Sequence, residues 1–374
     1  MPINLPRRAE ELGLHYVEVG ELCIRRRRRG RGFSYVDADG RPVRDPVVLA
    51  RIRALVLPPA WTEVCIAEDP FAHIQAIGRD AEGRHQYRYH EEWTTLRNRV
   101  KAERLVRFGR ALPRIRDRLE RDLRRRTPDR IYAAAVAGRL VDRALLRSGH
   151  NKNGIEDGGR GATTLLKSDV KLNGTKVHLA FTGKSGKRID KTVRDPILLD
   201  RLRRLKAIGR KRLFAFKDEH GRCCYLSARD LNTYLREAGH SDVTAKDFRT
   251  FAASAQAIAE LARAERPESE RARRRIVAAV MRSVSERLAN TPAVARASYV
   301  HPLVVEAYEA GAIGPELMKG PLRRGLTREE TALMRFLESR PSDERRPSRR
   351  AGPSAPARQA ARPTGEPAAE AARL

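Results

Sequence analysis

Two arginines, a lysine, an asparagine and a tyrosine stand in unusual local contexts in the second half of the chain. Arg147 closes the run Leu145-Leu-Arg-Ser-Gly149, where the apolar periodicity places the end of a helix. Lys184 lies at the tip of an expected hairpin in Phe181-Thr-Gly-Lys-Ser-Gly-Lys187. Arg249 falls one turn into an expected helix in the stretch Thr244 to Phe251. Asn290 sits between two helices in Ala289-Asn-Thr-Pro292, and Tyr299 follows two turns later in Ala297-Ser-Tyr-Val-His-Pro302. Together these side chains form a kit for phosphodiester transfer without a metal. A tyrosine can attack phosphorus and hold it as a covalent ester. Arginines can clamp nonbridging oxygens bidentately, an amide can donate one more hydrogen bond, and a lysine can protonate a leaving oxygen. Taken singly, each has an ordinary reading: a helix-end cation for Arg147, a hairpin charge for Lys184, a helix-surface charge for Arg249, a helix cap for Asn290, a half-buried aromatic for Tyr299. The spacing leaves open whether they converge.

The elements that must position them follow from local pattern. Residues 15–90 read as short strands and turns with one short helix near Val48 to Val56, stopped by Pro58-Pro59. Val64-Cys-Ile66 and Gln86-Tyr-Arg-Tyr89 are strand segments, and the alternation puts Tyr87 and Tyr89 on one face. That face serves either core packing or contact with a partner. The run Arg25 to Arg29 reads as a localisation tag or a solvated strand end. Beyond residue 91 the pattern turns helical, with Ile115, Leu119 and Leu123 four apart. Thr127-Pro-Asp129 signals a helix start, the helix running towards Arg147. Val170 to Val193 reads as three strands around an Asn173-Gly174 turn and a second turn at Lys184 to Lys187. Ser227 caps a helix that stops at Gly239, and Thr244 with Asp247 forms a capping box. A long helix over about 268–289 ends at Asn290, and Thr291-Pro292 opens the next. The expectation is an α+β protein: a small mainly-β domain at 1–90, a mostly helical domain with a three-stranded hairpin sheet at 91–340, and a disordered tail at 341–374.

Charge names the class of partner. The 374 residues include 77 Lys+Arg against 47 Asp+Glu, a net charge of +30. The tail carries only +3 of this on seven arginines and four acids, with six prolines and no aromatic residue, a composition that cannot bury enough apolar surface to order itself. The basicity therefore belongs to the body, as expected of a surface that tracks phosphates. Cys23, Cys65, Cys223 and Cys224 lack CxxC spacing, which argues against a zinc site or disulfide framework and fits a reducing cytoplasm. The opening MPINLPRRAEELGL has no apolar core, so no secretory leader is expected, and no run of 18 apolar residues offers a membrane span. Gly183-Lys184-Ser185 is not a phosphate loop, because His178 stands where such a loop needs glycine. Asp37 and Asp39 read as a turn and His301 as a helix-boundary residue.

The same segments resemble the type IB DNA topoisomerases, in particular their compact viral and bacterial branch, over about residues 15–315. The resemblance rests on Gly78-Arg-Asp80, Gly83-Arg84 and Gln86-Tyr-Arg-Tyr89, on Thr163-Thr-Leu165, on Gly183-Lys-Ser-Gly-Lys187, on Lys246 to Thr250, and on Asn290-Thr-Pro292 with Tyr299-Val-His-Pro302. It implies that Tyr299 is a nucleophile forming a 3′-phosphotyrosyl bond, that Arg147 and Arg249 stabilise the transition state, and that Lys184 protonates the 5′ oxygen. Asn290 takes the place of a histidine in viral members. Gln86, Tyr87, Tyr89 and Lys246 resemble the family's DNA contacts. The implied activity relaxes supercoiled duplex DNA without metal, ATP or other cofactor, by a monomer on the nucleoid in the cytoplasm. After Arg147 the spacing holds, but His150, Asn153, Asp157 and Arg160 replace the family's Asn, Tyr, Asn and aromatic residue. Two other readings compete. A tyrosine recombinase shares the catalytic logic but typically carries His-x-x-Arg where this chain has Lys246, and starts with a helical domain. A noncatalytic basic architectural protein explains the charge but not the five residues.

Overall fold

The computed structural model describes residues 4–149 and 159–339. The expected tail, and His150, Asn153 and Asp157 of the departing loop, lie outside the described residues. After a short helix α1 (Leu5–Glu10), the β-rich part is one antiparallel sheet of β1 (Ile24–Arg29), β2 (Gly32–Val36), β3 (Thr62–Ile66), β4 (Ile74–Arg79) and β5 (His85–Tyr89), in the order β2-β1-β3-β4-β5. The arginine run is thus a strand. All five arginines pair with β2, from Arg25 opposite Val36 to Arg29 opposite Gly32, whereas Arg25 alone of them reaches β3. Arg26 lies over the Phe33 ring at 4.1 Å and donates to Pro58 O at 3.1 Å, so its charge is held by a ring face and a carbonyl. Helix α2 (Pro46–Ala54), capped by Asp45, packs Ile52 against Ile24, Val64, Ile66 and Ala76 on one sheet face. Ile77, Ile74 and half-buried Tyr89 pack with Leu22 on the other.

Helix α3 (Glu91–Asp122) is 32 residues long, about 48 Å at 1.5 Å per residue, and leads from the sheet into the helical body. Its start at Glu91 is where the sequence pattern turns helical. Its Gly109 has no room for a side chain: a Cβ there would come 2.8 Å from Phe251, so α3 can press directly on the helix carrying Arg249. Helix α4 (Arg130–Ala144) begins two residues later than Thr127-Pro128 suggests. Asp129 is its cap, accepting from Tyr132 N at 2.8 Å. It also stops short of Arg147, in a left-handed Leu145 with φ 54°. Strands β6 (Val170–Asn173), β7 (Lys176–Thr182) and β8 (Arg188–Arg194) form the expected three-stranded sheet. Helix α5 (Pro196–Lys206), a two-stranded ribbon β9 (Ala215–Lys217) and β10 (Cys223–Tyr225), α6 (Ala228–Gly239), α7 (Ala245–Arg263), α8 (Glu270–Leu288), α9 (Pro292–Ser298), α10 (Pro302–Glu309) and α11 (Arg328–Glu338) complete the body. One continuous apolar core joins these helices to the inner face of β7, through Val177, Leu179 and Phe181.

Ionic stitching closes the bundle. Arg116 of α3 reaches Asp142 of α4 at 2.9 Å and Glu330 of α11 at 2.8 Å, and both carboxylates are buried. Removing the arginine would strand two carboxylates in a poorly solvated place. Arg116→Ala is expected to cost about 3–5 kcal/mol, read as a lower midpoint in urea. A variant within about 0.5 kcal/mol of wild type would show that solvent already screens the cluster.

Candidate active site

Two helix ends and a hairpin tip meet. Arg147 leaves α4 through the left-handed Leu145. The chain beyond it is stapled back: Ala162 N donates to Arg147 O at 2.8 Å, Thr163 N to Ser148 O at 2.8 Å, and the Thr163 hydroxyl to Ser148 O at 2.9 Å. The Thr163-Thr164 pair therefore works as a brace for Arg147. Arg160, placed where an aromatic was expected, forms an ion pair with buried Asp169 at 2.8 Å. Its backbone N–H bonds Thr182 O at 2.9 Å, which ties this segment to the hairpin. Lys184 stands exposed at the tip of that hairpin, where Ser185 and Gly186 both take left-handed angles, φ 62° and 68°.

Asn290 follows α8, whose cap is not Asn290 itself but Ala289, left-handed at φ 50°. The amide is freed from capping: its Oδ1 accepts from Arg147 Nη2 at 3.1 Å, while its buried Nδ2 has no hydrogen-bond partner. Arg249, whose ordinary reading taken singly is a helix-surface charge, is 3% exposed. It donates through Nη1 to Leu145 O and through Nη2 to Leu288 O at 3.1 Å, so it bridges the same two helix ends. Its Nε is buried without a partner. The capping box of Thr244 and Asp247 starts α7 as expected, with Thr244 N to Asp247 Oδ2 at 2.8 Å.

Tyr299 ends α9, which Thr291 and Pro292 open. Its ring lies beneath Arg249, 4.8 Å from guanidinium carbon to centroid. The buried Ser254 hydroxyl of α7 donates to Tyr299 O at 3.2 Å and accepts from His301 N at 3.1 Å. Sequence reasoning missed Ser254; its only signal is a single serine in an alanine-rich helix. His301 is a boundary residue, capping α10 through Leu303 N. Burial by itself would raise the pKa of the Tyr299 phenol. The positive charge of Arg249, and after it that of Arg147, outweigh it and bring the pKa below the ordinary tyrosine value. Burial in turn lowers the pKa of Arg249, partly offset by the phenol. Arg147, Lys184, Arg249 and Asn290 line one cleft, and Tyr299 abuts it through Arg249. The five residues converge.

The candidate DNA contacts lie elsewhere. Tyr87 and Tyr89 share a face of edge strand β5, stacked at 5.8 Å between centroids. Arg97 of α3 covers Tyr89 at 4.9 Å. Gln86 is on the opposite face, donating to Asp80 at 2.8 Å. Lys246 is exposed on the first turn of α7, near enough to Lys101 of α3 for their charges to repel, as do those of Lys101 and Arg97. Arg97, Lys101 and Lys246 thus form a cationic path from β5 to the start of α7. Among the described residues, no group of three or more His, Cys, Asp or Glu could hold a metal ion, and no helix is long and apolar enough to cross a membrane.

Comparison with known proteins agrees with this geometry. Residues 90–313 match the family model for the eukaryotic DNA topoisomerase I catalytic core, and residues 32–80 match that for the bacterial DNA topoisomerase IB N-terminal domain. The chain is 32% identical over 293 residues to the DNA topoisomerase 1B of Acanthamoeba polyphaga mimivirus, covering 76% of this chain and 87% of the viral one. The chain belongs to the type IB DNA topoisomerases.

Proposed function

We propose that this isomerase relaxes supercoiled duplex DNA through a transient 3′-phosphotyrosyl bond on Tyr299, without metal or ATP. The observation that carries the reading is the environment of Tyr299. Its phenol is buried against Arg249, in a cleft where Arg249 Nε and Asn290 Nδ2 are buried donors without acceptors. A scissile phosphate would supply acceptors for both, and buried polar groups are rarely left unpaired. In the reaction, Tyr299 Oη, its pKa lowered by Arg249 and Arg147, gives its proton to water and forms a bond to phosphorus as the bond to O5′ breaks. Arg147, Arg249 and Asn290 donate to the nonbridging oxygens, whose charge grows in the transition state. Lys184 gives its proton to the departing O5′. The ester conserves the bond energy, so the freed strand swivels about the intact one and the reverse attack reseals it. All five groups come from one chain, so a monomer suffices.

Duplex DNA is held by both parts of the protein, residues 1–90 and 91–340, with the path from Tyr87 and Tyr89 through Arg97 and Lys101 to Lys246 supporting that reading. Gln86 faces away from the two tyrosines, so it contacts DNA only if edge strand β5 enters a groove edge-on. The family match speaks against both a recombinase and a merely architectural protein, and the convergence of the five residues adds support.

The test is plasmid relaxation with EDTA present and ATP absent. Both positively and negatively supercoiled plasmid are expected to relax to completion. A strict requirement for Mg²⁺ or ATP would overturn the reading.

A further inference from the structure

The alternation of β8 puts Ile189, Lys191 and Val193 on the face that meets Phe181, Leu179 and Val177 of β7. A lysine in the middle of such a face needs a reason. Lys191 Nζ donates to Ala144 O at 2.7 Å and to Arg287 O at 2.6 Å. These are C-terminal carbonyls of α4 and α8, the two helices from which Arg147 and Asn290 depart. Arg249 bonds the next carbonyl on each helix, Leu145 O and Leu288 O. Two cations therefore hold two consecutive carbonyls on each of two helix ends, where the negative dipole ends of both helices converge. Both helices also leave through left-handed residues that are not glycine, Leu145 and Ala289. Such conformations cost energy and persist where the surroundings impose them. Arg147 and Asn290 each lie three residues beyond the carbonyl that Lys191 holds, and they meet at 3.1 Å.

We propose that Lys191 is a positioning residue for the Arg147–Asn290 pair: its amine, bonded to both helix ends at once, fixes the spacing from which those two side chains reach the phosphate. It touches no reacting atom. The inference rests on the phosphoryl-transfer reading above, since it assigns Lys191 a part in keeping that site assembled.

The charged groups around Lys191 make the role sensitive to pH. Asp190, Lys187 and Arg188 lie on its own hairpin, Arg143 on α4, and Glu286 and Arg287 on α8, all lining the same cleft; Arg147, Arg160 and Lys184 line a second cleft with it, and Arg249 reaches in from α7. Neither carboxylate bonds the Lys191 amine. Burial, then Arg249 and Arg287, lower the lysine pKa to about 7. Below that pH the ammonium holds both carbonyls with charge-assisted bonds. Above it a neutral amine makes weaker ones.

The experiment compares wild type with Lys191→Met, which keeps the stem and removes the donors. Supercoiled plasmid is cleaved by excess enzyme, and adduct trapped by denaturant is timed from pH 6 to 9. At pH 6 the variant is expected to cleave on the order of 10- to 100-fold more slowly, with plasmid affinity within about twofold of wild type. The ratio of wild-type to variant rate should shrink as pH rises through about 7. Equal rates, a loss confined to affinity, or a ratio that ignores pH would overturn the inference. If Lys191→Met does not melt cooperatively, Lys191→Leu, which also lacks donors, is held to the same criteria. Absence of adduct from wild type would remove the transfer reading and this inference together. Wild-type adduct with an unimpaired variant would remove this inference alone.

Discussion

Tyr299→Phe is expected to bind plasmid as wild type does and to form no covalent adduct, with relaxation falling below detection. The substitution removes one oxygen. The ring, 5% exposed, keeps its place beneath Arg249 and its cation–π contact at 4.8 Å, an interaction of about 0.5–2 kcal/mol that phenylalanine also provides. The hydrogen bond from Ser254 to residue 299 goes to a backbone oxygen and is indifferent to the side chain. The fold and the positive surface should therefore survive, and affinity should change less than about twofold. The loss should be confined to chemistry because the missing oxygen is the proposed nucleophile. The measurement is denaturing capture of plasmid-bound protein, beside a filter-binding titration at fixed salt. Adduct that persists in the variant would move the nucleophile to another residue. Adduct lost together with binding would show that the phenol serves the fold instead.

Why the site could be read at all from the sequence, and where that reading stopped, follows from which forces act locally. Caps and turns are local. Ser227, the Thr244 and Asp247 box and Thr291-Pro292 act over three or four residues, and each lies where it was expected; the Asn173-Gly174 signal is one residue off, because Asn173 pairs with Lys176 and the turn is made by Gly174 and Thr175. The candidacy of the five residues was legible from their order and spacing in a family resemblance, since each type alone has an ordinary reading. Their convergence was not, because it depends on α4 and α8 ending side by side, far apart in sequence. Non-glycine left-handed caps are illegible for a similar reason: Leu145 and Ala289 adopt φ values that local preference disfavours, and tertiary bonds from Arg249 and Lys191 hold them there. Arg249 looked like a surface charge because arginine usually is one. Only its two carbonyl partners and the phenol explain its burial. The five-arginine run shows the opposite case. Its residue types favour solvent, but pairing with β2 makes it a strand regardless.

Lys184→Ala is expected to slow cleavage on the order of 10²- to 10⁴-fold, the range for loss of a positioned general acid, and the loss should depend on the leaving group. The departing 5′ oxygen is an alkoxide, far more basic than neutral water can tolerate, so the P–O5′ bond breaks readily only if a proton arrives with it. Lys184 can deliver one: it is exposed at a tip whose left-handed Ser185 and Gly186 turn it toward the cleft that Arg147, Arg249 and Asn290 line. A sulfur leaving group, with a thiol pKa near 8.5, departs as the thiolate and needs little help. Once a cleaved phosphate has been mapped on plasmid, a duplex carrying 5′-bridging sulfur at that phosphate separates two roles that ordinary mutagenesis confounds. If Lys184 is the acid, the variant should cleave the sulfur substrate within about tenfold of wild type. If it merely steadies a nonbridging oxygen, the loss should be the same for oxygen and sulfur, because that interaction does not know which atom leaves. Arg147→Ala is the internal control for that second pattern, since a guanidinium on the nonbridging oxygens should be missed equally with either leaving group. Equal losses for Lys184→Ala on the two substrates would remove the general-acid role while leaving Tyr299 and the arginines untouched.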